Sequence, residues 1–319
     1  MIDVVIPNYN GNRFLKECID SLYTQNHNDF RIIVIDNNSK DSDYEYLNNY
    51  SNLEFIKLDD NYGFDYAVNK GIELSNGEFV VLLNNDTIAT YNWLEELVKT
   101  IQRDKKIFSV CSKMIVNDNK NIIDDAGDKY NLLGWTLKIG DGEDISNHTI
   151  TKEVFSSCAG AAIYRRSILD EIGYFDNHFF AYMEDVDISY RAKIHGYKNI
   201  YCADAKIYHI GSATTGSKYN AFKVKYAARN NIYVPYKNMP FIQLLINLPF
   251  LLLGFFIKYL FFIKKGFGKE YREGIIEGIT TLNKVKKVKF KFKNLNNYLK
   301  IQCELIYNTF EYLFLKIFK

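Results

Sequence analysis

The stretch EFVVLLNNDT at residues 78–87 carries the clearest indication of the fold. An apolar strand over Glu78–Leu83 is followed at once by the polar run Asn84-Asn85-Asp86. Continuous apolar strands are typical of parallel sheets that are covered by helices on both faces. In such sheets ligands bind beyond the carboxyl ends of the strands. The stretch therefore predicts a buried strand that ends in a ligand-binding turn.

The first hundred residues repeat this alternation of strand and helix. Strands are predicted at 4–6, 31–35, 53–58 and 78–83, and helices at 12–25, 39–50, 64–75 and 92–103. Ser39 and Asp41 are the expected caps of the second helix. The pattern predicts an α/β fold, with a Rossmann-like mixed sheet and helices on both faces.

Polar clusters follow three of these strands. They are Pro7-Asn8-Tyr9-Asn10, Asp36-Asn37-Asn38-Ser39 and Asn84-Asn85-Asp86-Thr87. Because the carboxyl ends of parallel strands meet at one edge of a sheet, the three clusters are expected to converge on one cleft.

The middle of the chain is less regular. Residues 104–155 contain Gly127, Gly134, Gly140 and Gly142, and we expect further strands and a loop that roofs the cleft. Short helices are predicted at 167–172 and 185–195, and strands at 199–202 and 206–209. We expect a catalytic domain over 1–235, with a nucleotide-binding half at 1–103 and an acceptor-binding half at 104–235, and a helical tail over 236–319.

The tail is apolar and basic. Residues 241–263 are nearly all apolar and long enough to span a bilayer, but Pro249, Gly254 and Lys258 interrupt them. Residues 257–319 hold 13 Lys, one Arg and five Glu, a net charge of +9, so a total of +2 leaves −7 on residues 1–256. This asymmetry favours an anionic membrane surface as partner, and not nucleic acid. A buried helical hairpin is the alternative.

Five scattered Cys residues, without a C-x-x-C pair, are typical of a reducing compartment. Together with the basic tail they predict a peripheral or monotopic protein on the cytoplasmic face of the cell membrane. Asp86 itself has two interpretations from the residues alone: it caps the next helix, or it binds a hard divalent cation through oxygen.

Five ordered pieces of the sequence resemble glycosyltransferase family 2, which has the GT-A fold. They are Val5–Asn10, Asp36–Ser39, Asn61–Phe64, Leu82–Thr87 and Glu184–Asp187. The N-N-D-T form and the C-A-G-A-A stretch at 158–162 are most similar to the rhamnosyltransferase-like branch, which builds cell-surface polysaccharides. The resemblance implies a nucleotide-diphospho-sugar donor, with dTDP-rhamnose or a UDP-sugar as the candidates, and a glycan or lipid-linked acceptor.

The resemblance implies a role for each matching residue. Pro7 and Tyr9 would form a wall of the base pocket, and Asp36 would accept a hydrogen bond from a pyrimidine base. The remaining donor-binding residues would be Asn61, Gly63 and Asn85.

The metal motif departs from the usual D-x-D form, because Asn84 stands at its first position. Asp86 would then be the sole carboxylate on Mn²⁺ or Mg²⁺, and His209 is the candidate second ligand. The resemblance also assigns Asp185 as the general base of an inverting displacement, with Glu184 orienting the acceptor or the neighbouring backbone. Asp187 and Arg191, four residues apart, are expected to form a structural ion pair.

Three other interpretations compete. A nucleotidyltransferase shares a similar sheet, but the first turn here, PNYNGNRF, lacks the Gly- and Arg/Lys-rich loop of that class. A processive synthase would need a Q-x-x-R-W signature and several membrane helices, whereas the Trp residues are Trp93 and Trp135. A non-catalytic membrane-bound scaffold of the same fold stays open. The aromatic content further suggests that Trp135 or the Tyr-rich loop stacks on acceptor sugars.

Overall fold

The computed structural model describes residues 1–41, 43–211 and 219–317, with side chains as far as residue 315. The glycine- and threonine-containing stretch at 212–216, which follows His209, lies outside the described residues. The strands are β1 (Ile2–Asn8), β2 (Phe30–Asp36), β3 (Leu53–Lys57), β4 (Phe79–Leu83), β5 (Thr87–Ala89), β6 (Ile107–Val116), β7 (Ile123–Asp125), β8 (Asp128–Tyr130), β9 (Thr136–Lys138), β10 (Lys152–Val154), β11 (Ala161–Arg165) and β12 (Lys198–His209).

Helices cover the strands and build the C-terminal part. They are α1 (Asn12–Tyr23), α2 (Phe64–Leu74), α3 (Trp93–Ile101), α4 (Arg166–Ile172), α5 (Glu184–Ile194), α6 (Ala221–Asn238), α7 (Phe241–Lys264), α8 (Gly268–Thr280) and α9 (Leu295–Ile317).

The main sheet is mixed. Its order is β10-β12-β6-β11-β4-β1-β2-β3, with β5 beside β12 and β7 beside β6, while β8 and β9 pair separately. The four strands β4-β1-β2-β3 are parallel, and β11 runs antiparallel between β4 and β6. Successive residues of β1 point to opposite faces, so Val4 packs in a core with α1 and α3, whereas Val5 packs in one with α2. The predicted fold class is confirmed.

The predicted helix over 39–50 is wrong. Among the described residues of this region, which exclude residue 42, the one helical element is the short 3-10 turn Glu45–Asn49. The expected caps have other partners, because the Ser39 hydroxyl donates to Asp36 and Asp41 accepts from the backbone N–H of Asn12. The two short strands predicted at 199–202 and 206–209 are one strand, β12, with an irregularity between Cys202 and Lys206.

The apolar segment forms the unbroken helix α7, which continues through Pro249. Its buried residues are Gln243, Asn247, Leu251 and Gly254, which recur every three or four positions and so share one face. Asn247 and Gln243 donate to Gln302 of α9, and Gly254 lies so close to the Leu133 carbonyl that a Cβ there would clash. The polar residues Gln243 and Asn247 and the small residue Gly254 thus mark the face of α7 that packs on the protein. Only 17% of the most apolar window is buried, which does not fit a buried hairpin.

The tail packs against the preceding part of the chain. Tyr298, Ile301 and Leu305 of α9 share a buried cluster with Val186 and Tyr190 of α5. The domain boundary at 235–236 falls inside α6 and stays a prediction. The tail shares a core with the rest of the fold, so it acts as part of that fold.

Candidate active site

Asn8 ties the three polar clusters together at the carboxyl edge of the sheet. Its Nδ2 donates to Asp36 Oδ1 at 2.8 Å, and its Oδ1 accepts from Asn85 Nδ2 at 2.6 Å. The parallel register that places Asn8 opposite Asp36 brings these groups together. Gly11 makes room, because a Cβ there would overlap the Asn85 side chain. The expected convergence of the clusters is therefore present.

Asp36 is fully buried and heavily hydrogen-bonded. Its carboxylate accepts from the Ser39 backbone N–H at 3.0 Å and from the Tyr44 hydroxyl at 2.8 Å, in addition to Asn8. It thereby fixes the turn that follows β2, beside the half-buried Pro7 and Tyr9. Contact of these three residues with a base stays a prediction.

Asn61 and Gly63 lie between the turn that follows β2 and the loop before α5. Asn61 Oδ1 accepts from Asn37 Nδ2 at 2.9 Å and from the Gly63 N–H at 3.0 Å. Gly63 has a φ of 89°, and a Cβ there would clash with Phe180. Glycine is required at this position because the Phe180 loop packs directly on it.

Asp86 and His209 lie side by side. Strand β5 pairs antiparallel with the end of β12, with Thr87 opposite His209. This register leaves His209 Nε2 3.5 Å from Asp86 Oδ1. The other ring nitrogen, Nδ1, contacts Asp124 Oδ2 at 2.7 Å. Asp86 is followed by β5 and does not cap a helix.

The acidic residues of β7 extend this cluster. Lys138 Nζ lies 3.2 Å from Asp124 Oδ1 and 3.7 Å from Asp125 Oδ2. Burial disfavours the charge of Lys138, but the Asp125 and Asp124 carboxylates outweigh it and raise its pKa above the usual range. Burial acts likewise on His209, yet Asp124 and Asp86 raise its pKa to about 9.

These side chains fit a divalent cation. A carboxylate on one nitrogen of a histidine orients the ring and leaves the other nitrogen for a metal, which is the arrangement of Asp124, His209 and Asp86. Among the described residues no group of three or more His, Cys, Asp or Glu side chains could hold a metal ion. A cation here would therefore need oxygen ligands from water or from a phosphate.

Glu184 and Asp185 begin α5 and are half-buried. Burial, with help from the Asp125 carboxylate, raises the pKa of Asp185 to about 6. Burial and the neighbouring Asp185 raise the pKa of Glu184 to about 8. Asp65, which is fully buried without a hydrogen-bond partner, also has a raised pKa through burial and Glu184. The first turn of α5 thus carries carboxyls that exchange protons near neutral pH.

The loop before α5 is strained and held from α6. Phe180, Tyr182 and Met183 have φ values of 65°, 71° and 70°, a region that non-glycine residues rarely adopt. The buried Asn230 Nδ2 lies within hydrogen-bonding distance of the carbonyls of Phe179, Ala181 and Tyr182.

A second set of contacts connects α5 and the loop before it to side chains of α6. Arg229 Nη2 donates to the carbonyls of His178 and Phe179. The predicted pair of Asp187 and Arg191 is confirmed at 3.1 Å, and Lys237 joins it at 2.9 Å from Asp187. Residues 178–187 are therefore fixed mainly by side chains of α5 and α6.

Sequence reasoning missed several of these residues. Asp124 and Asp125 did carry a signal, because the pair follows the apolar residues Ile122 and Ile123, as the other clusters follow strands. Asn230 carries none, since nothing local marks it. The expectation for Trp135 is wrong: its ring is 9% exposed, packs edge-on against Tyr312 and donates to the Gly254 carbonyl.

Comparison with known proteins gives a consistent picture. The model of "Glycosyl transferase family 2" matches residues 3–173. The O-antigen chain rhamnosyltransferase WbaN of Salmonella anatum is 28% identical over 222 residues, which cover 69% of each chain.

Two solved structures share the fold. GalNAc-T7, crystallised with UDP, GalNAc and Mn²⁺, has a TM-score of 0.61 and 19% identity, over 74% of this chain and 47% of its own. S. aureus TarS 1-349 with UDP-GlcNAc has a TM-score of 0.55 and 16% identity, over 91% of this chain and 93% of its own.

Proposed function

The chain belongs to glycosyltransferase family 2, and from this premise we propose that it transfers a sugar, with inversion, from a pyrimidine nucleotide-diphospho-sugar to a hydroxyl group. The acceptor is a glycan or a lipid-linked glycan of a cell-surface polysaccharide. The observation that carries the proposal is the continuous charged cluster from Asp86 and His209, through Asp124 and Lys138, towards Asp185.

The donor lies along the carboxyl edge of the sheet. Pro7 and Tyr9 pack on the base, and Asp36 accepts from its imide N–H. Asn61 and Gly63 line the nucleoside side, while Asn85 is held by Asn8 towards the diphosphate. The Asp36 carboxylate already accepts four hydrogen bonds within the protein, three on Oδ1 and one on Oδ2. Base contact therefore uses a remaining lone pair and favours uracil or thymine.

Asp185 is the general base. Its raised pKa of about 6 leaves it ionised at neutral pH and basic enough to take a proton in the transition state. As the acceptor oxygen bonds to the anomeric carbon, its proton passes to the Asp185 carboxylate. The bond from that carbon to the phosphate oxygen breaks, and the electron pair leaves with the nucleoside diphosphate. Glu184 has one buried carboxyl oxygen without a partner, which is free to orient the acceptor.

Asp86 and His209 would hold the metal. A bound Mn²⁺ or Mg²⁺ would neutralise the charge that develops on the departing diphosphate. The Mn²⁺ in the GalNAc-T7 structure supports a divalent cation for this fold. Asp124 keeps His209 in place, and Lys138 balances the acidic side chains around it.

The tail attaches the enzyme to the cytoplasmic face of the membrane. α7 is the one helix of the described residues that is long and apolar enough to cross a membrane. Large side chains on its outer face, such as Phe241 and Ile242, are more than 70% exposed. Exposed apolar surface beside clustered Lys residues favours attachment to an anionic leaflet.

The proposal is tested with a panel of nucleotide-sugars. Release of nucleoside diphosphate is followed with and without Mn²⁺, first with dTDP- and UDP-sugars and then with purine donors. We expect metal-dependent hydrolysis of a pyrimidine donor. Turnover of a nucleoside triphosphate would instead indicate a nucleotidyltransferase, and absence of any turnover would indicate a scaffold.

A further inference from the structure

A second site lies outside the cleft, in a cavity of about 490 Å³. One wall is the stretch 172–178, which leads into the loop before α5, and the opposite wall is the Lys-rich segment 284–288. Arg191 and Lys237 form part of the lining. None of the residues assigned to donor, metal or catalysis lines this cavity.

The positive charge of the cavity comes from three lysines. Arg191 and Lys237 are neutralised by Asp187 and Asp176. The lysines on the opposite wall, Lys284, Lys286 and Lys287, are exposed, and no ion pair with a described residue is formed by any of them. They therefore present charge to a ligand.

The backbone that carries these lysines is fixed. Val285 is buried at 4% exposure, and the Val288 N–H donates to the Lys237 carbonyl at 2.8 Å. Lys287 lies over the ring of Tyr236, 4.4 Å from its centroid. Because Val285 is buried and the Val288 N–H is bonded to the Lys237 carbonyl, the backbone that carries the three exposed lysines is held against the rest of the fold.

Exposed apolar residues follow the cavity-lining residues along the chain. Helix α7 begins four residues after Lys237, with Phe241 and Ile242 exposed at 74% and 72%. Beyond Val288 the chain continues to Phe290 and Phe292, exposed at 48% and 79%. A ligand with an anionic head and a hydrocarbon chain matches this combination of surfaces.

We propose that this cavity binds the terminal phosphate or diphosphate of a lipid, with the lysines 284, 286 and 287 as its cationic partners. A phosphate offers several acceptor oxygens to ammonium donors, which suits three lysines around one opening. The site is independent of the proposed transfer reaction, because it shares no residue with the catalytic cleft.

The experiment compares two triple variants of the full chain. The cavity variant is K284Q/K286Q/K287Q, and the matched control K289Q/K291Q/K293Q removes the same charge from the same segment outside the cavity lining. Binding is measured by co-sedimentation with phosphatidylcholine vesicles that contain phosphatidic acid. Vesicles with phosphatidylglycerol at the same surface charge serve as comparison. EDTA is present and the sugar donor is absent, so that the catalytic cleft does not contribute to binding. Pyrophosphate serves as the soluble competitor of the vesicles.

We expect the cavity variant to lose affinity for phosphatidic acid vesicles about tenfold or more relative to the control variant. Pyrophosphate should compete with the vesicles. Equal losses in the two triple variants, or equal binding of the unchanged protein to phosphatidylglycerol, would overturn the proposal in favour of diffuse membrane charge. Pyrophosphate binding that needs the three lysines without any effect on vesicles would overturn the lipid assignment. Unchanged melting curves establish that the variants are folded.

Discussion

Replacing Asn230 with Ala tests whether catalysis depends on the clamp between α6 and the loop before α5. The Asn230 amide nitrogen lies 2.9, 2.8 and 2.7 Å from the carbonyl oxygens of Phe179, Ala181 and Tyr182. The side chain is fully buried, so the variant leaves the Ala181 and Tyr182 carbonyls without this donor, while the Phe179 carbonyl keeps its bond from Arg229. Asn230 does not lie among the assigned catalytic groups, which makes it a positioning residue.

The magnitude follows from two opposing contributions. Two amide protons shared among three carbonyls contribute about 2–3 kcal/mol in total, at about 1 kcal/mol for each net hydrogen bond and more for a buried group. Against this, left-handed non-glycine residues cost about 1–3 kcal/mol each, and the loop contains Phe180, Tyr182 and Met183 in that region. Removing the clamp therefore lets the loop relax away from the catalytic geometry. If the hydrogen-bond energy of about 2–3 kcal/mol is lost from the transition state, kcat falls about 30- to 150-fold.

The assay measures kcat and KM for the best donor of the panel, together with the melting temperature. Asn199→Ala is the matched control, because Asn199 is equally buried and its amide nitrogen donates to the carbonyls of Phe155 and Ser189, which lie outside the loop. We expect both variants to lose stability, but only Asn230→Ala to lose most of its kcat with little change in donor KM. If the two variants keep the same kcat at a temperature where both are folded, the clamp has no positioning role.

Four further outcomes are expected. Asp185→Asn should lower kcat by about 10²–10⁴-fold while nucleotide binding, measured by calorimetry, is unchanged; full activity would exclude Asp185 as base. In the unchanged protein kcat/KM should rise with pH through about 6, because the base acts when deprotonated, and Asp125→Asn should move that limb to lower pH since Asp125 helps to raise the pKa. Asp86→Asn should abolish the stimulation of donor hydrolysis by Mn²⁺, and a normal Mn²⁺ titration would contradict its role as ligand. Leu253→Lys with Phe256→Lys, both more than half exposed, should release the protein from membranes and change stability by less than about 0.5 kcal/mol.

Much of the fold was predictable from patterns of neighbouring residues. Strands such as Phe79–Leu83 were predicted because their apolar runs and polar ends lie within a few residues of each other. The helix expected over 39–50 failed for the opposite reason. Ser39 bonds back to Asp36, three residues earlier, and Asp41 accepts from the Asn12 N–H, 29 residues away, so neither side chain caps a helix.

The sequence by itself determined the alternating sheet, the polar turns at its edge and the family, since each depends on residues close together in the chain. Tertiary structure alone decided that Asp124 orients His209, because 85 positions separate them and only strand pairing brings them together. It also decided that Asn230 holds a loop about 50 residues earlier, and that Gln243 and Asn247 face α9. Such contacts form by packing between distant elements, so spacing along the chain does not identify the two partners.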